Sequence, residues 1–238
     1  MPFLTAEWKM LAMANYAVDP DLLKPYVPAF TELERWQGRC YVSLVGFLFV
    51  DTRLRGLRIP FHTDFEEVNL RFYVRRKIGG EWRRGVVFIS EIVPKPALAL
   101  VANRVYKEHY RCMPMKHAWH TTPEAMTIQY EWRNNGDWNS ICVVTDTTST
   151  PIPPDSEEAF ITEHYFGYSR IDDGRTTEYQ VDHPSWNMFP VQGYEIRADF
   201  GRLYGPAFAF LEDRVPESVL LAEGSPISVD VKRVIKNP

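Results

Sequence analysis

Four polar residues alternate with apolar ones along the segment FEEVNLRFYV (65–74), and their side-chain types could do chemistry together. Successive residues of a strand point to opposite faces, so Glu67, Asn69, Arg71 and Tyr73 share one face, spaced about 6 to 7 Å apart. If that face borders an enclosed pocket, a buried carboxylate and a fixed guanidinium can bind a small ligand, and the guanidinium favours a carboxylate. If the sheet is half exposed, the same residues form only its solvated face. The surrounding fold decides between these two interpretations.

The segment HYRCMPMKHAWH (109–120) holds three of the six histidines and one lysine. A lysine amine in a dry pocket can form an imine with an oxo acid, whereas an exposed Lys116 only solubilises the surface. His117 and His120 have a spacing that could chelate a metal on a helix, but no further ligand stands nearby in sequence, so no metal site is predicted. Cys112 is a lone thiol without an evident base, and no nucleophilic role is predicted for it.

Two segments rich in Tyr, His and Trp carry further candidates, ITEHYFGYSR (161–170) and EYQVDHPSW (178–186). Such side chains have an apolar body and a polar tip, so they either close a core or line a pocket for a small, partly apolar ligand. The second interpretation makes His164 and Tyr168 ligand-binding residues.

Composition narrows the class of protein. The 238 residues include 27 Lys and Arg against 31 Asp and Glu, so the net charge of -4 provides no bulk positive field for nucleic acid or anionic lipid. Three cysteines, odd in number and far apart, indicate a reducing cytoplasm. The apolar charge-free run at residues 40–50 is too short to span a bilayer. No phosphate-binding, dinucleotide-binding, hydrolase-elbow or zincin motif occurs, so we expect a cytoplasmic globular protein without partners in nucleic acid or membrane.

Hydrophobic periodicity predicts a mainly-β chain with a few short helices. Predicted strands lie near residues 39–50, 65–78, 81–93, 126–133, 138–148, 175–181, 217–222 and 226–235. Predicted helices cover 20–26 after the N-cap Asp19, 96–110, and a short stretch from a capping box of Asp155 and Glu158 to near His164. Strands in hairpin order, as at Gly79-Gly80, fit one domain over residues 1–238 that is an antiparallel barrel or sandwich.

Several segments resemble the YqjF-like family, a group of bacterial proteins with a domain of unknown function. The segments are ANYAVDP (14–20), FEEVNLRFYV (65–74), GVVFIS (85–90), ITEHYFGYSR (161–170), EYQVDHPSW (178–186) and SVLLAEGS (218–225). The family is placed beside acetoacetate decarboxylase in fold. The resemblance therefore implies a closed, largely antiparallel, acetoacetate decarboxylase-like β-barrel with a funnel to an interior pocket.

The same resemblance implies roles for particular residues. Glu67 matches a pocket glutamate of acetoacetate decarboxylase, whose catalytic segment has a Pro followed by two lysines, the first of which forms a Schiff base. After Pro114 this chain has Met115 at the Schiff-base position and Lys116 at the position of the helper lysine. The candidate catalytic residues are thus Lys116 and Glu67, and the candidate ligand-binding residues are Asn69, Arg71, Tyr73, Tyr110, His164 and Tyr168.

Three functional hypotheses follow from these residues. The first is a small-molecule binding protein whose interior pocket takes a carboxylate-bearing or partly apolar ligand. The second is a decarboxylase or lyase that acts on an oxo acid through an imine on Lys116. The third is a non-catalytic interaction module, and related barrels suggest a homodimer. No cofactor and no metal are predicted.

Overall fold

Strands dominate the structure, and the helices are few and short. The computed structural model describes residues 2–105 and 109–236. Its strands are β1 (Leu4–Val18), β2 (Glu32–Leu33), β3 (Cys40–Leu54), β4 (Leu57–Arg58), β5 (Phe65–Ile78), β6 (Glu81–Val93), β7 (Tyr110–Cys112), β8 (Met115–Thr121), β9 (Met126–Asn134), β10 (Asp137–Thr145), β11 (Thr150–Pro151), β12 (Phe166–Asp172), β13 (Arg175–Asp182), β14 (Asn187–Phe189), β15 (Val191–Arg197), β16 (Ser218–Val229) and β17 (Arg233–Lys236). Its α-helices are α1 (Pro20–Leu23), α2 (Pro96–Val105), α3 (Glu157–Thr162) and α4 (Phe200–Tyr204), and 3-10 helices cover Lys24–Tyr26 and Pro206–Asp213. The prediction of a mainly-β chain is confirmed.

The long strands of the larger sheet pair in a path that returns to its starting strand. From β16 the path runs through β1, β3, β5, β6, β12 and β13, and β13 pairs again with β16 at Val181 and Val229. The neighbours are largely antiparallel, as expected, but β6 pairs in parallel with both β12 and β7. The chain reaches β12 from β6 through a long connection, which parallel pairing requires.

Two glycines permit close packing between β12 and its neighbours: Gly85 of β6 faces β12, and Gly167 of β12 faces Tyr179 of β13. A Cβ at Gly85 would lie 2.6 Å from the carbonyl oxygen of Phe166, and one at Gly167 would lie 2.1 Å from the ring of Tyr179. Both distances are far below van der Waals contact, so larger residues would force these strands apart.

A smaller sheet of β15, β10, β9 and β8 covers one face of β3 and β5. Val68, Leu70 and Phe72 of β5 are fully buried in the same apolar cluster as Tyr130 and Trp132 of β9. The opposite face of β5 points to a second apolar cluster inside the strand ring, to which Tyr73 belongs. Residues 67–74 of β5 are therefore buried on both faces, and the polar residues among them have no solvated side.

The short helices that the sequence predicts are present, but some of their first and last residues differ from the predicted ones. The side chain of Asp19 caps α1 by accepting from the Asp21 amide, as predicted. Helix α3 instead begins behind Ser156, whose hydroxyl accepts from the Ala159 amide, so Asp155 is not the cap. The helix predicted over 96–110 is described as α2 from Pro96 to Val105; its positions 106–108 lie outside the described residues, and Tyr110 belongs to β7. Strand β1 was not predicted, and the two strands predicted near 217–222 and 226–235 are mainly one strand, β16.

Candidate functional site

The polar face of β5 borders an interior cavity of about 380 Å³. Glu67 and Arg71 line this cavity, and they are only 3% and 9% exposed. The interpretation of this face as solvated is therefore wrong, because the two sheets enclose both faces of the strand. Other polar groups on the cavity wall include Glu91, Tyr110 and His164.

Most of the remaining wall is apolar or aromatic. Its rings include those of Trp8, Phe49, Phe65, Phe88, Phe166 and Trp186. His183 also lines the cavity, with its ring stacked on Trp186 at 4.4 Å between centroids, and burial lowers the pKa of this imidazole. The cavity thus combines a few fixed polar groups with a large apolar surface, as small-molecule sites do.

Asn69 and Tyr110 both donate to the Glu67 carboxylate. The Asn69 amide nitrogen donates to its Oε1 at 3.0 Å, and the Tyr110 hydroxyl donates to its Oε2 at 3.3 Å. Glu91 pairs with Asn69 across β5 and β6, and with Tyr110 across β6 and β7. Because residues paired across a ladder share a face, the two carboxyl groups stand on neighbouring strands at one end of the cavity.

Arg71 lies toward the other end, four residues and therefore about 13 Å along β5 from Glu67. Its terminal nitrogen donates to the carbonyl oxygen of Ile161 at 3.3 Å, and the guanidinium carbon lies 5.7 Å from the centre of the Tyr73 ring. The Nε atom is buried without a hydrogen-bond partner, and Arg71 makes no ion pair with any Asp or Glu in the described part of the chain. A buried guanidinium without a counter-charge is rare in proteins, because burial of a charge is unfavourable unless it is paired.

His164 stands near Arg71 and is held by an acidic residue from a distant loop. Its Nε2 lies 2.9 Å from Oε2 of Glu34, whose Oε1 accepts from Nε of Arg84 at 2.7 Å. The side chain of His164 is 1% exposed, and burial lowers its pKa to about 4 despite the hydrogen bond to Glu34. Burial by itself would raise the pKa of Glu34, but His164 and Arg84 together hold it below its ordinary value.

Three other predicted site residues are buried but do not line the cavity. The Asn69 amide donates to Glu67, the Tyr73 hydroxyl lies 2.6 Å from Oγ of Ser43, and the Tyr73 ring packs near both Arg71 and His164. Tyr168 belongs to the other apolar cluster. Its hydroxyl donates to the buried Glu178 at 3.1 Å, and burial raises its pKa. The structure therefore places Tyr168 away from the cavity.

Lys116 lies outside the cavity, on strand β8 of the smaller sheet. Its Nζ forms an ion pair with Glu131 at 3.0 Å and lies 4.6 Å from the centre of the Trp138 ring. The side chain is 55% exposed. The expected meeting of Lys116 and Glu67 in one pocket does not occur in this structure, because β8 packs on the outer face of the ring.

The two histidines at metal-binding spacing occupy a strand rather than a helix. His117 donates or accepts at Nδ1 with Oε1 of Glu66, 2.7 Å away, while His120 is exposed. No group of three His, Cys, Asp or Glu side chains converges in residues 2–105 and 109–236 in a way that could hold a metal ion. Over the same residues, no helix has the length and apolar character that crossing a membrane requires.

Sequence reasoning missed Glu91, Glu34 and His183 as site residues. Glu91 interrupts the apolar run VVFISEIV, and a charge in a buried strand is a signal that could have identified it. Glu34 gives no such signal, because its loop is brought to His164 only by the tertiary fold.

The strand ring with an interior polar and apolar cavity is the fold of acetoacetate decarboxylase-like enzymes. Acetoacetate decarboxylase from Legionella pneumophila is similar with a TM-score of 0.65 at 14% identity, over 99% of this chain and 87% of that one. The enduracididine biosynthesis enzyme MppR has a TM-score of 0.68 at 13% identity, over 99% and 90%. An acetoacetate decarboxylase-like enzyme from Sphingomonas wittichii RW1 has a TM-score of 0.66 at 11% identity, over 100% and 95%.

The chain belongs to the DUF2071 family, described as an uncharacterized conserved protein, whose family model matches residues 5–226. It is also similar to the uncharacterized protein YqjF of Bacillus subtilis (strain 168), with 33% identity over 84 residues. That match covers 35% of this chain and about a third (33%) of the length of YqjF. The resemblance to the YqjF-like family is confirmed.

Proposed function

We propose that the cavity binds a small molecule with a carboxylate group and a partly apolar body. In this proposal the strand ring acts as a closed barrel around the ligand. The observation that carries it is Arg71, a guanidinium at the wall of an apolar cavity without a carboxylate partner among the described residues. A ligand carboxylate would supply the missing counter-charge through charge-assisted hydrogen bonds.

The distribution of charge gives the ligand a direction. Glu67 and Glu91 line the same cavity but are carboxyl groups, so they offer a ligand carboxylate no counter-charge, whereas Arg71 does. The ligand carboxylate therefore lies at the Arg71 end, and the aromatic walls receive the rest of the molecule. MppR, which shares the fold, has been solved in complex with pyruvate, a small carboxylate.

The described residues give no geometric support to the alternative of an imine on a lysine. Within the described part of the chain, the residues that line the cavity include no lysine, and Lys116 is engaged with Glu131 on the outer sheet. The carboxylate proposal therefore needs no covalent step.

Isothermal titration with a panel of unbranched and branched monocarboxylates, each beside its neutral amide, tests this proposal. We expect acids to bind and amides to bind at least about tenfold more weakly, because only the acid has the charge that Arg71 requires. Arg71→Gln should weaken binding of the acids about 10- to 100-fold, and Arg71→Lys should weaken it less. Arg75→Gln is the matched control, because Arg75 lies on the same strand but pairs with Glu32 near the surface.

Equal binding of acids and amides, or unchanged affinity in Arg71→Gln, would contradict the proposal. Failure of the whole panel to bind would contradict it as well. The melting temperature of each variant shows whether a loss of affinity is a loss of folded protein.

A further inference from the structure

The pair formed by Glu34 and His164 determines which ring nitrogen of the histidine carries the proton. Both oxygens of Glu34 are engaged, one with Arg84 and one with Nε2 of His164. An ionised carboxylate only accepts hydrogen bonds, so Nε2 must be the protonated nitrogen. The lowered pKa of both groups agrees with an ionised Glu34 beside a neutral imidazole. Nδ1 of His164 is therefore left with a lone pair and no proton.

This lone pair is buried without a protein donor. Nδ1 of His164 has no hydrogen-bond partner in the described part of the chain, although the ring lines the cavity. The ring packs against Tyr73 at 4.7 Å and Phe160 at 5.4 Å between centroids, and neither ring donates to it. The charged groups around the imidazole are Glu34, Arg84 and Arg71. An unpaired buried acceptor is unfavourable, so a ligand that supplies a donor is favoured here.

We propose that Nδ1 of His164 accepts a hydrogen bond from a hydroxyl group of the ligand, so that the cavity selects hydroxy acids over oxo acids. This inference rests on the proposed carboxylate site at Arg71. The guanidinium carbon of Arg71 and the ring centre of His164 lie 5.7 and 4.7 Å from the centre of the same Tyr73 ring. Both residues also line the same cavity, so one small molecule there can place its carboxylate on Arg71 and a hydroxyl on the second or third carbon at His164.

The selection against oxo acids follows from the roles of the two atoms. A carbonyl oxygen carries only lone pairs and cannot donate to Nδ1, whereas a hydroxyl can. A site that places an acceptor against a substituent rejects the analogue that lacks the donor, because two acceptors then face each other without a proton. Glu34 is the positioning residue, because it fixes the tautomer without lining the cavity.

Titration calorimetry at pH 7 with 4-methylpentanoate and its 2-hydroxy, 3-hydroxy and 2-oxo derivatives tests the inference. We expect at least one hydroxy acid to bind about tenfold more tightly than the parent acid, and the 2-oxo acid to bind no better than the parent. A 2-oxo acid that binds as tightly as both hydroxy acids overturns the inference. Arg71→Gln should weaken all of these acids alike; if it weakens none, the carboxylate site itself fails.

Glu34→Gln tests the role of the tautomer. A glutamine side chain can donate or accept, so it no longer forces the proton onto Nε2. We expect the preference of the tighter hydroxy acid over the oxo acid to fall at least about fivefold in this variant while the parent acid binds as before. An unchanged preference overturns the inference.

A measurement without ligand keeps the inference testable if Glu34→Gln does not fold. Nitrogen NMR of histidine-labelled protein distinguishes protonated from unprotonated ring nitrogens, and His164→Gln assigns the signals of this residue. We expect Nδ1 unprotonated and Nε2 protonated at pH 7. A protonated Nδ1 would overturn the inference, whatever the titrations give.

Discussion

Acidification should unfold this protein partly through His164. The imidazole has a pKa of about 4 in the fold, against about 6.5 in an unfolded chain. Between these values the unfolded chain binds the proton and the folded protein does not, so the free energy of unfolding falls as the pH falls. This group alone should remove about 2 kcal/mol of stability between pH 7 and pH 5, and about 3 kcal/mol by pH 4.

Urea unfolding of the protein and of His164→Gln at pH 7, 6 and 5 measures this effect. A glutamine does not titrate, so the stability lost between pH 7 and pH 5 should be about 2 kcal/mol smaller in the variant. The range stops at pH 5 because carboxyl groups such as Glu34 titrate mainly below it. His120→Gln replaces an exposed histidine and should keep the profile of the parent protein. Parallel profiles of the parent and His164→Gln would refute the assignment of a buried neutral imidazole.

Two further perturbations test the packing and the role of the outer lysine. Gly224→Ala should lower the free energy of unfolding by at least about 2 kcal/mol, because a Cβ there would lie 2.0 Å from the carbonyl oxygen of Trp8. Gly56→Ala is the control, because Gly56 has a similar positive φ but no atom within 4 Å of such a Cβ. In the same urea titration, Gly56→Ala should lower the free energy of unfolding clearly less. Lys116→Ala should leave the affinity for carboxylates unchanged, because Lys116 lies outside the cavity. It should alter the free energy of unfolding by at most about 1 kcal/mol, because the ion pair with Glu131 is largely exposed. A large loss of affinity in calorimetry would show that Lys116 takes part in ligand binding.

The sequence predicts the strands best where the burial pattern is local. The alternation in β5 places Glu67 and Arg71 on one face, and the structure confirms this. Strand β1 was missed because Glu7 and Lys9 interrupt its apolar run, and the pattern does not show that their side chains, 40% and 38% exposed, reach solvent. The second sheet was also missed as a separate layer, because hairpin signals do not say against which strand a hairpin packs.

The site was predictable only where one strand carries it. Arg71 and Glu67 follow from the periodicity of a single segment, while Glu34 meets His164 across 130 positions of sequence. Lys116 was expected near Glu67 because the family comparison aligns a motif, but the placement of β8 on the outer sheet moves its side chain away. Contacts between distant segments depend on the packing of whole elements, and periodicity within a segment carries no information about them.

The pairing of β1 with β16 has a consequence for how the chain acquires its fold. Leu4 lies opposite Val229, so the hydrogen bonds between β1 and β16 can form only after β16, which follows most of the chain, has been synthesised. Pairings of such sequence separation slow folding, since the loss of chain entropy comes before the contacts that offset it. During synthesis, β1 and β3 can pair early, but the free edge of β1 stays open until β16 leaves the ribosome. Conditions that delay synthesis should therefore promote aggregation through that edge, even though the finished molecule covers it.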